Sequence, residues 1–191
     1  HTISFFQIEL LSPESTMPRN LPNPRLTYVA MLWSALPIRQ AAVRQGRLSS
    51  GFDKLSVPDR QTLESRQAAL LAREFPEQIV VRVAYSVNVP ALAKETAIYW
   101  QARSPGQWKQ DTFLITSTGR HSPVGVTVVS GAGGQFELVF PRRVDGQPVV
   151  RDTDKTFALE LISPALGQIP SERVFLEFQL KDMSLNGRPV F

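Results

Sequence analysis

The chain has 191 residues, 42% of them hydrophobic and 20% charged, enough for one domain spanning 1–191 with a core of its own. It has no run of about 18 apolar residues and no cysteine, which excludes a transmembrane segment, a disulfide framework and a thiolate metal site. The net charge of +4 comes from arginines interleaved with acids, as in Arg73-Glu74 and Glu172-Arg173, which speaks against the one-sided basic surface of a nucleic-acid binder.

From the amino end, Ile3 to Leu11 and Leu26 to Trp33 predict the first two strands. Between them Ser12 to Pro24 holds four prolines and reads as an extended connection. Residues 37–75 change character. Ile38 to Gln45 predicts a short helix ended by Gly46, and Leu48 to Leu55 a polar loop. Ser56-Val57-Pro58-Asp59 supplies a capping serine, a first-turn proline and an acid for the positive end of a helix dipole. That helix should run to about Glu74 and stop before Pro76, because proline disfavours the helical conformation in the residue before it. Leu63, Leu70 and Leu71 form a modest apolar stripe, so 37–75 is expected to pack as a helical insertion over an end or an open face of the remainder.

From Ile79 onward the period is two, the mark of strands with one buried face. Ile79, Val81, Val83, Tyr85 and Val87 share one row; Phe136, Leu138 and Phe140 another; Phe157, Leu159 and Leu161 a third; Val174, Leu176, Phe178 and Leu180 a fourth. Weaker alternation covers Ile98 to Arg103, Thr112 to Ser117 and Val124 to Val129. Turn residues separate these runs: Ser104-Pro105-Gly106, Ser122-Pro123, Gly131-Ala132-Gly133-Gly134, Val144-Asp145-Gly146 and Ser163-Pro164. About nine strands are too many for one flat, half-solvated sheet of this length. The expected class is mainly β: a two-sheet antiparallel β-sandwich, Ig-like in architecture, with the helical insertion at 37–75.

Chemistry is sparse. The two histidines are His1 and His121. A hydrolase centred on His121 would pair it with an acid such as Asp111 or Asp145, but no Gly-x-Ser-x-Gly elbow is present and Ser122 sits in a turn before Pro123. Alternatively the α-amine and imidazole of His1, with the imidazole of His121, could supply three nitrogens to Cu(II) as a metal site. Such a brace on a β-sandwich resembles the arrangement of lytic polysaccharide monooxygenases, in two residues and a fold class without any flanking motif. Asp145, Asp152 and Asp154 crowd one turn, but Arg142, Arg143, Arg151 and Lys155 surround them and favour ion pairing over a dication. Glu137, Glu160 and Glu177 fall on outward positions of their strands.

Aromatic residues give the binding candidates. Tyr99, Trp100 and Trp108 are expected around one hairpin, with Trp100 inward and Tyr99 and Trp108 exposed as ligand-binding rings for a protein or carbohydrate partner. The chain starts at His1 rather than Met and is read as processed or trimmed. Arginine, glutamine and proline outnumber lysine as in a GC-rich bacterial genome. The expectation is a non-catalytic extracytoplasmic bacterial domain, secreted or periplasmic, without a resident cofactor. The alternative is a copper-dependent enzyme using His1 with His121, or a hydrolase centred on His121.

Overall fold

The alternating runs beginning at Ile79, Phe136, Phe157 and Val174 each bury one row of side chains, and these rows belong to two antiparallel sheets. A computed structural model of the chain describes residues 6–11, 23–129, 134–185 and 188–189. The strands, in chain order, are β1 (Phe6–Leu11), β2 (Arg25–Leu32), β3 (Gln78–Val87), β4 (Thr112–Thr116), β5 (Gly119–His121), β6 (Gly125–Val129), β7 (Gly134–Pro141), β8 (Arg143–Val144), β9 (Gln147–Pro148), β10 (Thr156–Ile162), β11 (Arg173–Gln179), β12 (Ser184–Leu185) and β13 (Arg188–Pro189). The helices are α1 (Leu36–Ser49), α2 (Val57–Ala72), α3 (Pro90–Ala102) and α4 (Pro105–Asp111).

The larger sheet has the order β1-β2-β3-β7-β6 and the smaller β11-β10-β4-β5. Inward rows from both meet in one core: Val81, Val83, Phe136 and Leu138 from the larger sheet, Leu114, Leu159, Leu161 and Leu176 from the smaller. The hairpin β8–β9 turns through Asp145 (φ 51°) and Gly146 (φ 77°), the left-handed pair for which an Asp-Gly sequence is suited. At Gly134 the backbone comes so close to the Tyr85 ring across the β3–β7 ladder that a Cβ would lie 2.2 Å from it.

Residues 37–75 hold two helices as expected, although α1 does not stop at Gly46 but runs to Ser49, and α2 ends at Ala72 rather than Glu74; both cover part of the larger sheet's outer face. Their contact is a second cluster of Trp33, Phe75 and Val80, with Ile38 and Ala42 from α1, Leu70 from α2 and Val139 from β7 packed against it. Ser56 caps α2, its hydroxyl oxygen accepting from the Asp59 N–H at 3.3 Å. The buried Arg39 guanidinium donates to the carbonyls of Trp33, Ser34 and Arg73, joining the start of α1 to the exits of β2 and α2. Burial, with Arg73 nearby, holds its pKa below the ordinary arginine value.

One expectation is overturned. Residues 98–103 form no strand and no hairpin; they end α3, and Ser104-Pro105-Gly106 opens α4. Ser104 and Gln107 make a reciprocal capping box with Pro105 in the first turn. On α3 the buried residues are Thr96 and Trp100, four apart as a helix requires, while Ile98 is exposed. Gly131 to Gly133, expected to join two strands, lie outside the described residues. No helix among the described residues is long and apolar enough to cross a membrane.

Candidate functional site on the outer face of the smaller sheet

The aromatic residues singled out in the sequence lie together, but inside. Trp108 is 2% exposed and stacks on Trp100 with ring centroids 5.1 Å apart, so the expected exposed ring is corrected. The capping box at Ser104 makes this segment a helix, and the helix turns Trp108 into the core beside Phe136. Tyr99 is half-buried, its hydroxyl accepting from Arg103. The Arg103 guanidinium lies 5.2–5.8 Å from the ring centroids of Tyr99, Trp100 and Trp108 and binds the Asp111 carboxylate at 2.5 Å.

His121 is half-buried on β5, the edge strand of the smaller sheet. Its Nε2 is 2.9 Å from Thr118 Oγ1, which itself donates to the Val149 carbonyl. With that proton directed to the carbonyl, the threonine oxygen accepts from Nε2–H of the neutral imidazole. Burial holds the imidazole pKa below its ordinary value. The Ser122 hydroxyl donates to the Lys109 carbonyl at 3.0 Å, and Asp111 is engaged by Arg103. His1, the other half of the expected copper brace, lies outside the described residues. Among the described residues no group of three or more His, Asp or Glu side chains is placed to hold a metal ion. Asp154 accepts from the Arg151 N–H at 2.9 Å, and Asp145 occupies the hairpin tip.

A different constellation stands on the outer face of the smaller sheet. Cross-strand register places Phe113 of β4, Glu160 of β10 and Phe175 of β11 in one row. Outward position predicts solvent for all three, yet the Glu160 side chain is only 4% exposed. Two arginines enclose it. Arg120 reaches across β4 from β5, its guanidinium 4.0 Å from the Phe113 ring centroid, and donates to both Glu160 oxygens at 2.8 and 3.0 Å. Arg173 donates to Oε1 from the other side. The two arginine side chains remain 50% and 53% exposed. Phe175 is half-exposed beside them.

The physical consequence is a stiff, amphipathic surface. The arginines cannot leave Glu160 without stranding a buried carboxylate. Aromatic rings and ordered guanidiniums that have already lost their rotamer freedom lose little more on meeting a partner. Sequence reasoning placed Glu160 and Phe175 outward and named Arg173 only as one of the interleaved charges, leaving Phe113 and Arg120 unremarked. The available signal was an acid within an apolar strand and a phenylalanine at an outward position of β11.

Comparison with known proteins finds no family model that matches the chain, no similar curated protein and no similar solved structure.

Proposed function

We propose that the protein is a non-catalytic interaction module that engages a protein partner through the outer face of its smaller sheet. The observation that carries this reading is Glu160, buried between two half-exposed arginines and flanked in its row by Phe113 and Phe175. Arginine and aromatic side chains held in place around a desolvated centre are the composition of an interface hot spot. Protein is favoured over carbohydrate because Arg120 occupies a face of the Phe113 ring, where a sugar would have to stack. We read the layered sheets as an antiparallel β-sandwich, Ig-like in architecture, because both inward rows enter one core. A secreted or periplasmic location remains part of the proposal, supported by the cysteine-free composition.

The test is site-specific photocrosslinking in the native extract. A benzophenone side chain at Phe175 should yield a discrete protein adduct that is lost with Arg173→Glu. The same probe at Val57, exposed on α2, should not yield it. Absence of an adduct from Phe175, or an identical adduct from Val57, contradicts the reading. A glycan adduct or glycan-array binding sensitive to Arg173→Glu would overturn the choice of partner class.

A further inference from the structure

We propose that the groove between α4 and β6 receives an extended peptide segment, paired to β6 as a further strand of the larger sheet, with an apolar side chain against Val126 and Val128 and a carboxylate beside Lys109. The proposal concerns a surface separate from the smaller sheet's outer face. Three observations carry it.

The first is an edge. β6 pairs with β7 on one side, and no strand pairs with its other side among the described residues. Such an edge presents backbone N–H and C=O groups to any added strand. The second is the shape beside that edge. The groove holds about 160 Å³ and is walled by Val126, Val128 and Pro123 with Trp108 behind them. That volume lies below the roughly 300 Å³ at which small-molecule sites begin, and suits one large apolar side chain. Because side chains alternate across a strand, those of an added segment that face inward would adjoin Val126 and Val128 and enter this groove.

The third is charge. Arg103 and Lys109 both border the groove. Arg103 is paired with Asp111, and its Nε is buried without a partner. Lys109 is exposed and makes no ion pair among the described residues, so the local balance is one positive charge. A carboxylate next to the apolar side chain complements it, either a C-terminal carboxylate or an acidic side chain.

The probe is a displayed library of random heptapeptides with free carboxyl ends, screened against the intact protein. Retained sequences should place a large apolar residue at or next to a carboxylate. Lys109→Glu should weaken them by at least about fivefold, the effect of losing one rim charge pair of roughly 1 kcal/mol. Methylation of alternate peptide nitrogens should abolish binding, and amides of 125–129 should gain hydrogen-exchange protection. Amidation of the carboxyl end separates the two carboxylate sources: loss of binding assigns the terminus, retention an acidic side chain. Arg173→Ala should leave affinity unchanged. Failure of the library to yield a binder overturns the proposal. So does binding that is indifferent to both Lys109→Glu and peptide methylation, or protection of 125–129 through self-association of the protein alone.

Discussion

On the outer face of the larger sheet, Arg82 lies 3.2 Å from the Trp33 ring centroid, and its Nε donates at 3.0 Å to Glu137 directly across on β7. On the outer face of the smaller sheet, Arg120 lies 4.0 Å from the Phe113 centroid and donates to Glu160 two strands away. The same three groups occur in both: a ring, a guanidinium over it and a carboxylate. Their surroundings differ. The first stands next to the cluster that seats α1 and α2, and its arginine is 22% exposed. The second has two arginines, each about half exposed, around a carboxylate more deeply buried than Glu137. A helix-covered face gains stability from its ring and ion pair. The smaller sheet's outer face carries no such helix among the described residues, yet it buries a charge more deeply.

Substitutions can break or sharpen this contrast. Trp33→Ala, on the covered face, should cost about 3–5 kcal/mol in denaturant unfolding, because a 3%-exposed ring leaves a cavity beneath the helices. Phe175→Ala, on the open face, should change stability by no more than about 0.5 kcal/mol while abolishing the protein adduct of a benzophenone placed instead at exposed Glu177 on the same strand. Comparable losses from the two would erase the distinction. Next, Arg120→Ala with Arg173→Ala strands Glu160 and should cost about 3 kcal/mol, the low end for an unpaired buried charge because water can approach. Adding Glu160→Leu should recover most of that loss. Either arginine changed alone should cost about 1 kcal/mol or less.

A smaller effect concerns the cover itself. Ser56→Ala removes the cap of α2 and should lower stability by about 1 kcal/mol, read as earlier unfolding in a urea titration. An unchanged midpoint would mean that α2 contributes little to covering the larger sheet.

The smallest effect is pH dependence at His121, on the edge of the smaller sheet. Its folded pKa lies below the ordinary imidazole value, so the unfolded chain binds the proton more readily. The stability tied to the neutral ring is complete above about pH 6.5 and declines as pH falls below it. His121→Gln should flatten stability between pH 7 and pH 5. A wild-type profile that rises toward pH 5 would contradict the sign.

The rows of β3, β7, β10 and β11 were legible because alternation with one buried face needs no information from outside the strand. Val174 to Lys181 illustrates this: Val174, Leu176 and Phe178 are buried and Glu177 exposed as the period demands. The helix start at Ser56 was legible for the same local reason. Residues 98–108 were misread because Ile98-Tyr99-Trp100 is rich in strand formers, while the helical spacing shows only over the longer window containing Thr96 and Trp100. The Ser104–Gln107 box was present in the sequence, but Pro105-Gly106 also suits a turn, and the turn reading hid it. For Glu160 only the outward position could be read. Its burial depends on Arg120, 40 residues earlier, and Arg173, 13 later, meeting through the register of four strands.

Hydroxyl-radical footprinting of the isolated protein and of the protein in its native extract tests the open face most directly. Phe175 should be oxidised readily in isolation and protected in the extract, with Trp33 unreactive in both. Equal oxidation of Phe175 in the two conditions, or protection that persists when Arg173 is changed to Glu, would contradict a partner on that sheet.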